Sequence, residues 1–562
     1  LLFIVFDFGY DFEENYNSPH VIGLLILSLG LLAFNSFKFF TKRFESNRKV
    51  ALVNMVLLTA LLLSCVVILL LNCNFHSDYI LQKIKPVLEG GLIFYFLLRL
   101  MVFVRHIYDI YFNPAIVFVG SFMILALTGA FLLMLPSATE NGITFTNALF
   151  TATSAVCVTG LVVMDTSSDF TIVGQSIIIV LIQLGGIGIL TFTSFFAFFF
   201  RGSSSFKEGL NTRDFIAHDG LRDVFRAALN VVIFTLGVEI VGALFIYSSI
   251  IEIKGIENEF FFSIFHSISA FCNAGFSIMP GGIQNESIRY DYYLHWIIMI
   301  LIVLGGLGHN IVFNFYQYLK TYIIELFEKK IVHKKIRILT VNTKIVLYTT
   351  FILLIGGFLF LFIAEYNNTL LEHESIFGKI TVASFSAVSP RTAGFDAVDY
   401  SKMNVHSLLF IIFLMWIGGS PASTAGGIKT STFALATLNI FSVARGKGRI
   451  QLFGRRISSD STSRAFAILS ISLITIGVSI MAVLIFEPKG TSILTVAFEC
   501  FSAYSTVGLS LNFTPTLTEP SKYVLMACMF IGRIGMLNLM VGLLRKLNHQ
   551  FYEYPKENIL IN

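Results

Sequence analysis

The chain has 562 residues, 55% of them hydrophobic and 13% charged, with 59 Phe, 42 Gly and only 11 Pro, whereas soluble proteins carry about 25% charged residues. So much apolar surface cannot be hidden inside a water-facing core; an ordinary soluble enzyme is excluded and lipid is the implied solvent. The 39 basic and 34 acidic residues leave a net charge of +5, too balanced for a nucleic-acid partner, so the information lies in where the charges fall.

In chain order, the first twenty residues carry Asp7, Asp11, Glu13 and Glu14 but no Lys or Arg. The basic start of a secretory leader is therefore missing, and the apolar stretch that follows reads as a retained helix. A ruler of about 20 apolar residues per crossing predicts about eleven spans. Three come early, near 21–40, 50–71 and 87–104. The rest fall into four pairs, near 114–135 and 171–200, 224–252 and 292–318, 340–365 and 405–440, and 465–487 and 521–545. Six cysteines, at 65, 73, 157, 272, 500 and 528, form no CxxC pair or zinc spacing and read as packing residues.

Each pair of spans encloses a shorter, semi-polar segment, and these segments repeat. They run from Thr153 to Gly160, Ile268 to Gly275, Ser386 to Gly394 and Phe501 to Gly508; each holds a Ser-Ala pair and ends at glycine. The glycines are 115, 119 and 114 residues apart, which predicts a helix, half-helix, loop, helix unit used four times. A plain tandem array of packed helices is the alternative, and it leaves the shared Ser-Ala and Gly pattern unexplained. Boundaries follow: an N-terminal region over 1–110, then repeats over 111–210, 211–330, 331–450 and 451–562.

Charge orients the units. The connections 201–226, 320–344 and 441–464 hold 18 Lys or Arg, against 7 in the four stretches around the glycine loops. By the positive-inside rule the connections are cytoplasmic and the loops enter from outside. Lys42, Arg43, Arg48 and Lys49 after the first span, and Arg99 and Arg105 near the third, agree and place Leu1 outside.

A loop that returns halfway through a membrane survives only if buried in protein or lining water, so four of them suggest one shared pore. Carbonyls aimed at its axis can replace the hydration shell of a monovalent cation. The candidate filter residues are Val158, Thr159 and Gly160; Asn273, Ala274 and Gly275; Thr392, Ala393 and Gly394; and Thr506, Val507 and Gly508. Preceding stretches such as Thr144–Ala155 and Ser492–Ala503 are about half a membrane long, and their C-terminal ends would direct partial negative charge at a central cation.

These four loops resemble the filters of the Trk/Ktr/HKT superfamily of potassium transporters, over roughly residues 110 to 548. Ser154 to Leu161 and Ser389 to Phe395 are most similar to the bacterial Ktr branch, while three early helices are closer in kind to the extended Trk subunits. The resemblance implies an all-α polytopic membrane protein, with four helix–pore-loop–helix repeats around one pseudo-fourfold pore and about three extra N-terminal helices. It implies potassium uptake across a bacterial inner membrane, with potassium as substrate and no cofactor in this chain. As partners it implies the lipid bilayer, a second copy in a homodimer, and a cytosolic ring of nucleotide-binding regulatory subunits encoded separately. Glycine in all four filters implies potassium preference, since sodium-selective plant relatives carry serine where this chain has Gly160. A sodium-permeable or ion-coupled transporter of the same architecture is the alternative; a polytopic enzyme would need convergent catalytic groups, and a bare helical scaffold would not conduct.

A second repeated feature follows each filter: Gly185-Gly186-Ile187-Gly188, Gly305-Gly306-Leu307-Gly308, Gly418-Gly419-Ser420-Pro421 and Gly532-Arg533-Ile534-Gly535. Small residues of this kind commonly mark close helix packing. The third case differs, because Gly418, Gly419, Ser420, Pro421, Ala422, Ser423, Thr424, Ala425, Gly426, Gly427, Ile428 and Lys429 cannot continue a regular helix. It resembles the intramembrane loop that gates the family's pore below the filter. Arg533, a charge within a membrane helix, matches by resemblance the basic residue facing the cavity. About 8 Å from a passing ion, at an effective dielectric of about 20, it would repel that ion by roughly 2 kcal/mol.

Arg391 is expected to support the filter from behind, because a fixed cation inside it would block potassium. His266, His295 and His309 show no metal spacing, and Glu239, Glu365 and Glu499 read as structurally paired carboxyls. Lys329, Lys330, Lys334, Lys335 and Arg337 are candidate contacts for the regulatory ring, or topology signals facing anionic lipid. No nucleotide-binding loop, nucleophile elbow or HExxH helix is present, so no enzyme activity is expected.

Overall fold

The computed structural model describes residues 17–40, 48–71, scattered positions from 84 to 95, 114–188, 221–328 apart from a few positions between 252 and 257, 339–421, 423–446 and 450–535. Two early helices, α1 (Asn17–Phe40) and α2 (Arg48–Leu71), pack through Val21, Leu24, Leu58 and Leu61 against Ile84, Leu88, Leu92 and Tyr95. The spacing of those last four residues is that of one helix face. Asn35 ties the group together, its Nδ2 donating to the Tyr95 hydroxyl at 3.1 Å.

The four repeats share one plan. Each opens with a long apolar helix: α3 (Pro114–Leu133), α6 (Leu221–Ile250), α10 (Val341–Ala364) and α14 (Ser459–Phe486). At 1.5 Å rise per residue, even the 20 residues of α3 span about 30 Å, the hydrocarbon thickness. A half-length helix follows: α4 (Phe145–Val156), α7 (Glu259–Cys272), α11 (Ile376–Val388) and α15 (Ile493–Ser505). Three of them start on a side-chain cap, with Thr144, Asn258 and Ser375 accepting from the amides of Asn147, Phe261 and Gly378. After the glycine loop comes a second helix: α5 (Ile172–Ile187), α8 (Tyr292–Leu307), α12 (Val405–Trp416) and α16 (Glu519–Ile534).

Three of these second helices are shorter than their apolar length suggests. The spans near 171–200, 292–318 and 521–545 read as continuous by length alone, yet α5, α8 and α16 stop at Gly188, Gly308 and Gly535, which have φ of +77°, +74° and +84°. That backbone region lies outside the helix and is open mainly to glycine. Beyond Gly308 the chain restarts as α9 (His309–Glu328) at an angle of 102° to α8. In the third repeat α12 ends at Trp416, and the helix resumes only as α13 (Thr430–Ala444). The basic connection between the third and fourth repeats contains a short antiparallel hairpin, β1 (Gln451–Leu452) and β2 (Arg455–Arg456).

The repeats close into a cycle. α5 packs on α7, α8 on α11, α12 on α15, and α16 returns to α4. Polar contacts join the seams: Trp296 Nε1 donates to Thr381 Oγ1 at 3.2 Å, and Lys522 Nζ donates to Asn147 Oδ1 at 2.9 Å. The polarity is inverted relative to a soluble fold. Ile363 and Ile485 on the long helices are each 76% exposed, while Thr159, Thr392 and Thr506 in the loops are wholly buried. Apolar outside and polar at the centre is the arrangement a lipid solvent requires.

Candidate functional site

Each half-helix delivers its glycine loop by the same local bonds. Thr159, Ala274 and Val507 donate their amides back to the carbonyls of Ser154, Ser269 and Ser502 at 2.8, 2.7 and 2.8 Å. In the third repeat Ala393 donates to the Ser389 carbonyl at 2.9 Å. The equivalent serine there is thus Ser389, and not the Ser386 of the Ser-Ala pair on which the sequence comparison relied. Serine hydroxyls add a second tie. Ser154 Oγ and Ser502 Oγ accept from the amides of Gly160 and Gly508 at 3.1 Å each, while Ser269 Oγ donates to the Phe276 carbonyl at 2.7 Å and Ser389 Oγ to that of Phe395.

The backbone is constrained in the same way four times. Gly160, Gly275, Gly394 and Gly508 have φ of +90°, +71°, +77° and +95°. The residues two before them, Val158, Asn273, Thr392 and Thr506, have φ of +55°, +61°, +71° and +50°. For β-branched Val and Thr such angles are outliers costing about 1–3 kcal/mol each. Strain repeated at one register in four loops has to be held by the surroundings. Sequence reasoning named these residues as filter positions but not their left-handed backbone, of which Val and Thr give no compositional sign.

The four loops meet. A Cβ added to Gly160 would collide with the Ala274 carbonyl, one on Gly275 with that of Ala393, one on Gly394 with that of Val507, and one on Gly508 with that of Thr159. Each glycine therefore faces the carbonyl preceding the next repeat's glycine, and the fourth returns to the first. All twelve candidate filter residues fall in this ring.

Beneath it lies the interruption between α12 and α13. Gly418 N donates to Ile428 O at 2.8 Å and Thr430 N to Gly419 O at 3.0 Å, pinching the two ends of the loop together. The segment between reaches into the second and fourth repeats. Ser420 N donates to Gly306 O at 2.9 Å, Ser420 Oγ donates to Leu307 O, and Thr424 Oγ1 donates to Phe271 O at 3.2 Å. A Cβ on Gly426 would strike the Thr506 hydroxyl, and one on Gly427 would crowd Ser505, so Gly426 and Gly427 lie directly against the fourth loop. Lys429 folds back, its Nζ donating to Ala425 O at 2.5 Å. Ala422 lies outside the described residues.

Arg533 is a bridge: Nη1 donates to Thr424 O of this loop and Nη2 to Gly185 O at the end of α5, 2.9 Å away. Arg391 is 8% exposed and donates from Nη2 to Gly418 O at 3.3 Å. With Ile302, Gly306, Thr350 and Gly419 it lines a small pocket. The first glycines of the second motif are packing devices, since Cβ atoms on Gly185, Gly305 and Gly532 would collide with the carbonyls of Val156, Phe271 and Tyr504 at the ends of their own half-helices.

The carboxyls singled out in the sequence are hydrogen-bonded within the protein. Glu239 accepts from Gln183 Nε2 at 2.9 Å, Glu365 from Ser407 Oγ at 2.5 Å, and Glu499 from Thr514 Oγ1 at 2.7 Å. His266 and His295 are buried, and among the described residues no His, Cys, Asp and Glu gather as a metal site. The five described cysteines are free and buried. Lys329, Lys330, Lys334, Lys335 and Arg337 lie outside the described residues.

Comparison with known proteins agrees with this geometry. Residues 85–553 match the family model TrkH, described as a cation transport protein. The potassium/sodium uptake protein NtpJ of Enterococcus hirae is 33% identical over 455 residues, covering 80% of this chain and 97% of that protein. Ktr system potassium uptake protein B of Bacillus subtilis is 34% identical over 425 residues, covering 75% of this chain and 91% of its own length. The crystal structure of the potassium transporter TrkH from Vibrio parahaemolyticus shares the fold, with a TM-score of 0.59 over 93% of this chain and 98% of that one at 16% identity. The chain is a polytopic membrane transporter, not an enzyme, and belongs to the TrkH cation transport protein family.

Proposed function

We propose that this chain takes up potassium through a pore whose selectivity filter is the ring of Gly160, Gly275, Gly394 and Gly508 with the two residues before each. The closed ring carries this reading: carbonyls from Thr159, Ala274, Ala393 and Val507 stand at equivalent positions, each pressed against a neighbouring glycine. Left-handed residues at alternate positions turn successive carbonyls of an extended chain toward one side, which is what replacing a hydration shell requires. Four half-helix C-termini converge behind them and add partial negative charge.

The broken segment 418–429 acts as the gate and Arg533 as its latch. The chain works as a homodimer in a bacterial cytoplasmic membrane, seated on a cytosolic ring of nucleotide-binding subunits and holding no cofactor itself. What supports the dimer and the ring is kinship with proteins named as components of the Ktr system. The test is the reversal potential of purified chain in proteoliposomes with potassium on one side and sodium on the other. Gly160→Ser should weaken discrimination against sodium, because it places a Cβ and hydroxyl against the Ala274 carbonyl. A folded Gly160→Ser protein with the parent's full preference would sink the filter reading. A parent that passes both ions equally would favour the sodium-permeable alternative, which the name of the Enterococcus relative makes specific.

A further inference from the structure

Beyond the filter glycines, two of the four repeats share a construction absent from the other two. In the fourth, Glu499 lies on half-helix α15 nine residues before Gly508, and Ser510 lies two residues after it. The Glu499 side chain is 1% exposed. Its carboxyl group accepts from Ser510 Oγ at 2.5 Å, Leu511 N at 3.2 Å and Thr514 Oγ1 at 2.7 Å. Every one of these donors belongs to the chain leaving the filter. Ser510 Oγ in turn accepts from Phe513 N at 3.3 Å.

In the second repeat His266 occupies the same register, nine residues before Gly275, and Ser277 lies two after. His266 Nδ1 is committed to the Phe262 carbonyl at 2.9 Å, so Nε2 accepts from Ser277 Oγ at 2.9 Å, and Ser277 Oγ accepts from Met279 N at 3.1 Å. The first repeat has Thr151 and Val162 at these positions, and Thr151 Oγ1 is buried without a partner. The third has Asp396 after its glycine, tied sideways to Gln284 Nε2 at 2.7 Å. Since the loops follow one another in chain order around the ring, the second and fourth repeats are diagonal.

We propose that Glu499 is a positioning residue for cation discrimination, bracing the outer end of the fourth filter through Ser510, Leu511 and Thr514, with His266 and Ser277 as its diagonal counterpart. This rests on the filter reading. The physical reason is leverage. Thr506 and Gly508 hold left-handed angles that their own sequence does not favour, and such strain persists only when both flanks are tied down. The inner flank is held by Ser502, whose carbonyl and hydroxyl accept from Val507 N and Gly508 N. Glu499 supplies the outer tie. One carboxyl oxygen accepts from Ser510 Oγ and Leu511 N and the other from Thr514 Oγ1; Gln replaces one of these oxygens by an NH₂, so at least one of the bonds is lost or reversed.

The test compares Glu499→Gln, Ser510→Ala, Glu365→Gln and Gly160→Ser with the parent in proteoliposomes, after each is verified as a folded dimer. Glu365 is the control, a buried carboxyl with several donors in the third repeat that serves the start of α12 and not a filter flank. Glu499→Gln should lower the potassium-to-sodium permeability ratio by about three- to tenfold and Ser510→Ala by about two- to threefold, within the scale of one net hydrogen bond lost. Glu365→Gln should leave the ratio unchanged. If folded Glu499→Gln and Ser510→Ala keep the parent's ratio while Gly160→Ser lowers it, Glu499 is structural and the proposal is overturned; the same follows if Glu365→Gln lowers the ratio as much. If Gly160→Ser also changes nothing, the filter reading itself fails and takes the brace with it. Should Glu499→Gln not fold, Ser510→Ala decides alone.

Discussion

The filter ring and the broken segment beneath it sit against each other, yet they are held in opposite ways. Every filter loop is fixed first by its own repeat, through bonds from the loop amides to a serine four or five residues back, and then by glycine-to-carbonyl contact with the next loop. Segment 418–429 is pinned to its own repeat at its two ends and by Arg391; its middle hangs on Gly306, Leu307, Phe271 and Arg533 of other repeats. Local, repeated bonds give a rigid element. A segment whose middle is held by bonds borrowed from other repeats shifts when those repeats move, whereas the loops carry their own bonds with them. On the proposed roles, the difference lets a selective ring and a moving gate be neighbours without disturbing one another.

The largest expected effect comes from breaking the rigid partner. Gly394→Ala puts a methyl group into the Val507 carbonyl at a φ of +77°, a strain of about 1–3 kcal/mol before the collision is counted. Selective potassium conduction should be lost, read as a reversal potential near zero in mixed salts. Next is the latch. Arg533→Ala removes both a positive charge and two hydrogen bonds, one to Thr424 O and one to Gly185 O. A barrier of roughly 2 kcal/mol corresponds to about thirtyfold at most, so potassium flux should rise up to that limit with selectivity intact. Flux that is unchanged in a folded protein would reduce Arg533 to a structural tie.

A several-fold rise is expected from shortening the movable partner. Deleting Ser423 to Gly427 removes the residues that lie against Thr506 and Ser505 and leaves the four filters whole. Flux should go up and cease to respond to the regulatory ring, measured with and without those subunits. A folded deletion protein that conducts like the parent would make 418–429 a static kink.

Legibility in the sequence follows the same divide. The ring could be read because it is written four times, so Gly160, Gly275, Gly394 and Gly508 stood out by period alone. The break at Gly418 to Lys429 could be read from composition, since four glycines and Pro421 cannot extend a helix. What could not be read was tertiary. Nothing near Arg533 points to Thr424, 109 residues away, or to Gly185, 348 residues away. Apolar length likewise does not place the end of α8 at Gly308, because apolar residues continue on both sides and it is the positive φ that marks the end. The third loop's reliance on Ser389 was hidden by a one-residue shortening that moved the serine out of register with the Ser-Ala pairs.

The smallest effect sharpens the comparison by leaving both partners alone. Glu365, at the end of α10, accepts from Ser407 Oγ at 2.5 Å, Asn368 Nδ2 at 2.7 Å, Thr369 Oγ1 at 3.1 Å and Asn404 N at 3.1 Å. It thereby satisfies donors at the start of α12, a helix end that would otherwise carry unpaired amides in the protein interior. Glu365→Gln keeps the volume but turns an amide toward those donors, at a cost of about 1–3 kcal/mol for a buried polar group left unsatisfied. The thermal midpoint in detergent should fall, while potassium flux and selectivity at room temperature stay at the parent's values. The reason for that separation is position: Glu365 fixes where α12 begins, whereas the third glycine loop hangs from α11 and segment 418–429 from the opposite end of α12. A change in selectivity with no loss of stability would mean that the ring is coupled to the helix that follows it, and that the rigid element extends beyond the loops themselves.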